Sequence, residues 1–288
     1  MRVNIIGTGK VGTTLLHLLR TRPDITVGDI SSRHFESARQ AAAVSGAGRA
    51  VESLDEMAPA DLWLLTVPDD QIAATASVLA DARAGQGGTP SIAIHCSGFF
   101  SSEELHPLRN IGWSVASCHP VLSFADPASA ARQFPGTYCG IEGEARAVER
   151  ISKLMTSLGG VPFSVQTEQK ALYHAAAVFS NNFTVVLQGL ALETWAEAGV
   201  PDEVAQNLCR ALLQNTTTNV ARVGPQAALT GPAARGDVAV MRRQEMALAR
   251  WQQDAANLYR LMSKMARSLK HSGTALSPHD DTGIDRAL

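Results

Sequence analysis

The sequence predicts an α/β fold with a mostly parallel sheet, followed by an all-helical region. Three observations predict it. Residues 2–12 (Arg-Val-Asn-Ile-Ile-Gly-Thr-Gly-Lys-Val-Gly) place a short apolar run, then Gly7, Gly9 and Gly12, directly before the apolar helical run Thr13–Leu19. Short strand-like runs then alternate with helical composition as far as Val165. From Thr167 onward strand signals vanish and long apolar–polar periodic runs replace them. The expected organisation is a Rossmann-type domain over 1–166, a helical domain over 167–272 and a flexible polar tail over 273–288.

The first strand is carried by Val3, Ile5 and Ile6. The pattern Gly-x-Gly-x-x-Gly between a strand and a helix is the context of a dinucleotide site. Gly7 permits the tight turn, Gly9 clears the way for a pyrophosphate, and Gly12 lets the helix pack closely on the sheet. The helix N-terminus adds free N–H groups and a partial positive charge. Gly7, Thr8, Gly9, Lys10, Val11 and Gly12 are therefore the expected phosphate-binding residues.

A second strand is expected over 25–30, where such a fold meets the adenine ribose. Its tip continues as Ser31-Ser32-Arg33. Two hydroxyls and a permanently charged guanidinium suit a 2′-phosphate, so NADP(H) is the expected cofactor. The alternative is that Asp29 binds the ribose and Arg33 is merely solvated. A helix follows at 34–45, then a strand at 62–67 ending in Pro68-Asp69-Asp70. The backbone of Thr66, Val67 and Pro68 is expected to touch the cofactor, with Asp69 or Asp70 capping the helix through Ile72–Leu79.

Gly85-Gln86-Gly87-Gly88 reads as a loop. The strand Ser91–Ile94 opens into His95-Cys96-Ser97-Gly98, and Trp113–Ala116 leads into Ser117-Cys118-His119-Pro120. Two histidines thus follow successive strands on the expected ligand edge, which makes His95, Ser97 and His119 candidate substrate contacts. A strand over 137–141, a helix over 143–158 and a strand over 161–165 complete the sheet. Helices are expected at 168–198, 202–222 and 237–270, the last interrupted, with Gly224-Pro225 and Gly231-Pro232 as breaks.

In the first of these helices, Lys170, His174 and Asn181 fall within roughly 40° of one face. Their neighbours are Ala, Leu, Val and Phe, and burying such groups is costly unless they are paired or used. The functional reading is a catalytic strip facing the cofactor across a cleft between the domains. The structural reading is a set of hydrogen bonds between helices.

Composition bounds the rest. The chain has 288 residues, 45% of them hydrophobic, 18% charged, with a net charge of −2. This gives no footprint for nucleic acid or an anionic membrane. No run approaches the roughly 18 apolar residues of a membrane span, and Arg2 runs directly into the first strand, so no leader and a cytoplasmic location are expected. Cys96, Cys118, Cys139 and Cys209 lack the spacing of a disulfide frame or zinc site. No metal is expected; His279, Asp280 and Asp281 are read as part of a disordered end.

The glycine motif, the strand end Thr-Val-Pro-Asp, the His95–Gly98 loop and Lys170 with a polar partner one turn on resemble the β-hydroxyacid dehydrogenase and ketopantoate reductase superfamily. More closely, the chain resembles bacterial Rossmann-like oxidoreductases with an uncharacterised C-terminal helical domain. That likeness rests on His95–Gly98, His119-Pro120, Lys170–Asn181 and Leu229-Thr230-Gly231-Pro232 with Arg235-Gly236-Asp237. Some relatives are associated with pantothenate biosynthesis as ketopantoate reductases. The resemblance implies an NADPH-dependent reductase of a small 2-oxo acid, with Lys170 as the cationic general acid. His174 stands where related dehydrogenases often have Asn, and would orient Lys170 or relay a proton. Thr230 and Arg235 are candidate contacts to a substrate carboxylate, and Asp237 a helix cap. A homodimer through the helical region is expected. The alternatives are a pyrroline-carboxylate-type imine reductase, a prephenate-type dehydrogenase suggested by His119-Pro120, and a non-catalytic NADP-binding sensor.

Overall fold

The computed structural model describes residues 1–85 and 90–276. The loop residues 86–88 and the end of the chain from residue 277, with His279, Asp280 and Asp281, lie outside the described residues. The chain divides into two compact units, Met1–Asn182 and Phe183–Leu288.

The first unit is built on eight strands. They are β1 (Arg2–Ile6), β2 (Thr26–Ser31), β3 (Arg49–Ala50), β4 (Leu62–Leu65), β5 (Ile92–His95), β6 (Ser114–Pro120), β7 (Tyr138–Gly143) and β8 (Val161–Ser164). Their order in the sheet is β3-β2-β1-β4-β5-β6-β7-β8. The first six form the parallel doubly wound order 3-2-1-4-5-6. Only the β6–β7 pair is antiparallel, and β8 runs parallel to β7. Helices α1 (Lys10–Leu19), α2 (Phe35–Ser45), α3 (Ile72–Arg83), α4 (His106–Asn110), α5 (Pro127–Gln133) and α6 (Ala145–Ser157) connect the strands, and α7 (Lys170–Ser180) closes the unit.

The strands are apolar on both faces because helices cover both. Side chains alternate with period two. Val3, Ile5, Leu62, Leu64, Ile92 and Ile94 pack with Leu15, Leu16 and Leu19 of α1 and with α6. Ile6, Trp63, Leu65, Ala93 and Val115 pack on the opposite side with Ile72, Ala76 and Leu79 of α3. The carboxyl ends of β1, β4, β5 and β6 therefore share one edge, and β1 and β4 flank the point where the chain reverses its direction across the sheet.

The strand expected to stop at Ala116 runs on through His119-Pro120. The antiparallel partner explains it: His119 pairs with Gly140 and Pro120 with Cys139, which extends the ladder past the reach of β5. His95 is likewise the last residue of β5 rather than the first of a loop.

The second unit is helical: α8 (Asn182–Glu197), α9 (Asp202–Ala228), α10 (Pro232–Arg235), α11 (Val238–Trp251) and α12 (Gln253–Ser272). Gly224, at φ +77°, breaks the helical path of α9 ahead of Pro225, and Gln252 separates α11 from α12. The helix expected over 168–198 is two helices, interrupted at Asn181. The stretch Thr167–Glu197 is nonetheless long and apolar enough by composition to cross a membrane, which corrects the expectation that no run approaches that length.

Candidate active site

The glycine turn joins β1 to α1. Gly7 adopts φ +101°, and a Cβ there would lie 2.6 Å from the Thr66 carbonyl carbon. A Cβ on Gly12 would collide with the Gly7 carbonyl oxygen. Gly9 differs, because nothing lies within 4 Å of its missing Cβ. The turn is therefore closed where strand meets helix and open where a phosphate would approach. Gly9 also occupies the N-cap of α1 with no side-chain cap, leaving first-turn N–H groups free. Thr8 Oγ1 is buried without a hydrogen-bond partner among the described residues. An orphaned hydroxyl beside free N–H groups fits an anionic ligand that completes them. Lys10 is exposed beside this opening, while Val11 packs partly into the core.

At the tip of β2, the Ser31 carbonyl accepts from Gly7 N at 2.8 Å, which ties the two strand ends together. Asp29 is fully buried and already engaged. It accepts two bonds from Arg49, at 2.8 and 3.1 Å, and one from the Ala58 N–H, and it pairs with Arg2. Burial raises its pKa, but these partners outweigh that and hold it below the usual carboxylate range. Ser32 is half-buried, and Arg33 is exposed with no ion pair or side-chain hydrogen bond among the described residues. Thr66 turns inward, its Oγ1 donating to the Gly7 carbonyl at 2.7 Å. Val67 packs against the core and Pro68 is exposed.

The second cluster lies further along the same edge. Lys170 begins α7 and is 3% exposed. Its ammonium donates to Ser117 Oγ at 2.6 Å and to the Ser97 carbonyl at 3.0 Å, and it faces Glu142 Oε1 at 3.7 Å. Ser117 in turn donates to Glu142 Oε1 at 2.5 Å. Glu142 also accepts from the Ser102 N–H, Ser102 Oγ and Thr167 Oγ1. Burial pushes the Glu142 carboxyl up, but the bonds from Ser117 and Ser102 and the Lys170 charge outweigh it, so the group is held ionised. Burial lowers the Lys170 pKa, and Glu142 offsets this only in part. Two of the three ammonium protons are thus donated to groups of this chain, and the third has the Glu142 carboxylate within ion-pair range.

Ser97 is similarly engaged. Its hydroxyl donates to Asp69 Oδ2 at 2.8 Å and accepts from the N–H groups of Phe99 and Phe100. Asp69 therefore braces this turn rather than capping a helix; neither Asp69 nor Asp70 makes a side-chain cap. His95 is completely buried. Its Nδ1 accepts from Ser97 N and its Nε2 donates to the Ser101 carbonyl. Burial lowers its pKa to about 4, so it stays neutral with both nitrogens satisfied. His95 and Ser97, expected as substrate contacts, hold the turn that frames the site, because they lie inside the sheet edge rather than beyond it.

The half-exposed polar groups are His119, Tyr173 and His174. His119 Nδ1 and Tyr173 Oη are hydrogen-bonded at 2.8 Å. The ring centres of His119 and His174 are 5.7 Å apart, and the edge of Phe99 meets His174. Two glycines make room for them. A Cβ on Gly98 would lie 2.5 Å from His174 and 2.8 Å from His119, and one on Gly140 would lie 2.6 Å from Tyr173 Oη. Burial, then the neighbouring His174 and Lys170, lower the His119 pKa to about 4. Burial raises that of Tyr173 to about 12.

The remaining expected residues lie apart. Asn181 is exposed at the C-cap of α7, roughly 16 Å along the helix from Lys170. Thr230 is exposed in the second unit. Arg235 pairs with Asp237 at 3.1 Å, and this engages the carboxylate at the α11 N-cap, which makes no side-chain cap. The four cysteines are free thiols. Among the described residues no group of three or more His, Cys, Asp or Glu side chains is placed to hold a metal ion. Glu142, Ser117 and Tyr173 were missed by the sequence reading. The one signal for Glu142 is a charge within the strand-like run Tyr-Cys-Gly-Ile-Glu.

Comparison with known proteins agrees with this architecture. Residues 1–120 match a Rossmann-like domain, and residues 137–266 match a domain of unknown function, DUF2520. Among curated proteins none matches the sequence. A protein of Thermotoga maritima is 27% identical, with a TM-score of 0.73 over 94% of this chain and 99% of its own. A protein of Bacteroides fragilis, named provisionally as an NADP oxidoreductase, is 23% identical, with a TM-score of 0.72 over 93% of this chain and 98% of its own. The 1-pyrroline-5-carboxylate reductase of Streptococcus pyogenes is 16% identical, with a TM-score of 0.61 over 93% and 99%. The chain thus shares its fold with oxidoreductases.

Proposed function

We propose that this chain is an NADPH-dependent reductase of a small carbonyl compound, with 2-oxo acids of the ketopantoate type as the first substrates to test. One observation carries the reading. A glycine turn open to phosphate and a buried, fully partnered Lys170 with imidazole and phenol groups beside it stand at one edge of one sheet. Gly7, Thr8, Gly9, Lys10 and the start of α1 would hold the pyrophosphate. Because Asp29 is occupied by arginines, the ribose end falls to Ser32 and Arg33, which favours a 2′-phosphate. Bound NADPH supplies a hydride. The chain's own groups stabilise the charge that grows on the substrate heteroatom and deliver a proton to it. Lys170 contributes through its field and through the Ser97 carbonyl it anchors, since it is buried and bonded to Ser97 and Ser117.

The test follows NADPH absorbance against a panel of 2-oxo acids, including ketopantoate, and cyclic imines. Turnover of a 2-oxo acid is the expected result. Turnover of cyclic imines alone would replace it with the second reading, which the pyrroline-carboxylate reductase fold favours. No turnover, with NADPH bound, would favour a sensor. Affinity should be higher for NADPH than for NADH, and Arg33→Ala should reduce that preference at least tenfold; an unchanged ratio would remove Arg33 from the 2′-phosphate site.

The reading includes a homodimer. Helix α8 is predominantly apolar, yet none of its residues is buried, and Phe183, Val185 and Val186 are exposed. A second copy of this chain is the proposed cover.

A further inference from the structure

We propose that the proton for the reduced substrate comes from His119 Nε2, recharged through Nδ1 by the phenol of Tyr173, and not from Lys170. This rests on the reductase reading above and assigns the acid within it. Three observations carry it. Lys170 is 3% exposed, its ammonium donates to Ser97 and Ser117, and it faces Glu142 at 3.7 Å, so a substrate could reach it only by entering a closed cluster and displacing the chain's own groups. His119 is half-exposed, its Nδ1 bonds Tyr173 Oη, and its Nε2 has no partner among the described residues and is not sealed off from solvent. Gly98 and Gly140 are stripped of side chains where a Cβ would strike His119, His174 and the phenol oxygen, so the sheet edge is shaped around this group.

The bonding directions are consistent with a relay. A neutral imidazole has one donor and one acceptor nitrogen. If Tyr173 donates to Nδ1, the ring proton sits on Nε2, on the open side. When a hydride adds to the substrate carbon, the π pair of the C=O or C=N bond moves onto the heteroatom. That atom takes the Nε2 proton as the N–H bond breaks, and Nδ1 takes the phenol proton. Water then protonates Nε2 as Nδ1 returns its proton to the tyrosinate oxygen, which restores the Nε2–H tautomer and the phenol and leaves hydroxide to the solvent. The substrate gains one hydride and one proton, and the ring is neutral again. The charged and titratable groups facing His119 are His174, Lys170, Asp69 and Tyr173. Burial, with the neighbouring His174 and Lys170, lowers the His119 pKa to about 4, so the ring is neutral at pH 7. This suits a relay that must never hold a trapped imidazolium.

Two measurements test it. In the wild-type protein with selectively ¹⁵N-labelled histidine, the His119 signals should report the Nε2–H tautomer with an acceptor Nδ1, neutral from pH 5 to 9. Tyr173→Phe should weaken the Nδ1 bond signature. An imidazolium at pH 6, or an Nδ1–H tautomer, would overturn the relay without any substrate in hand. In turnover, Tyr173→Phe should lower kcat on the order of 100-fold and enlarge the solvent deuterium isotope effect, with the Kd for NADPH unchanged. Gly140→Ala, which displaces the phenol oxygen, should lower kcat in the wild type but add little in the Tyr173→Phe background. A Tyr173→Phe protein with a wild-type rate and isotope effect would overturn the inference and leave the reductase reading standing. Failure to bind NADPH at all would overturn that reading instead.

Discussion

At the scale of residues, Lys170 and Glu142 form an ion pair that takes both charges out of water. Both side chains are almost fully buried. Lys170→Met should destabilise the protein by about 3–5 kcal/mol, because Glu142 keeps its charge and loses its counter-ion; a Tm within a degree of wild type would show that the pair contributes little. Two histidines at the sheet edge, one buried and one half-exposed, set a pH dependence. His95 and His119 have folded pKa values lowered to about 4, below the unfolded value near 6.5. The unfolded chain therefore binds more protons between those limits, so their contribution is complete above pH 6.5 and is lost as pH falls towards 4. For His95 that loss is on the order of 3 kcal/mol, and His95→Asn should flatten urea-unfolding stability across this window. An unchanged slope would mean that His95 is not buried as described. Lys170 and His119 were legible as candidates because each interrupts an apolar or strand-like run. Glu142, Ser117 and Tyr173 were not, because a single polar residue on a strand or helix has no spacing partner in sequence. Their partners come from β6, α7 and the segment after β5, which only the fold brings together.

At the scale of elements, the β1 turn and α1 were fully legible, since all three glycine roles follow from local geometry. They also separate in experiment. Gly7→Ala should destabilise the fold by roughly 2–4 kcal/mol, through a positive φ and a collision with the Thr66 backbone. Gly9→Val should leave Tm unchanged, since its Cβ meets nothing, yet weaken NADPH binding at least tenfold. If Gly9→Val bound NADPH like wild type, the phosphate would lie elsewhere. Elements whose ends depend on distant partners were less legible. His119-Pro120 read as a loop because Pro ends most strands, whereas pairing with β7 keeps it in the sheet. Asn181 shared a helical face with Lys170 in projection, but the helix stops there and places it three turns away. A helical wheel reports direction, not distance.

At the scale of the molecule, the alternation of strands and helices followed by helices alone was visible in the sequence. The division between compact units falls after α7, so Lys170, Tyr173 and His174 belong to the same unit as the sheet they serve. The exposed apolar residues of α8 make assembly testable: sedimentation should give twice the chain mass at micromolar concentration, and Val185→Asp with Val186→Asp should yield monomers. A wild-type monomer would leave that face to another partner. In the proposed reaction, hydride passes from a dinucleotide held at Gly9 to a substrate beside His119. The most direct measurement supplies NADPH carrying deuterium at C4, in each stereochemical form in turn, and weighs the product. One deuterium in the reduced product from one form and none from the other is the expected result; product without label from either form would contradict hydride transfer from the dinucleotide.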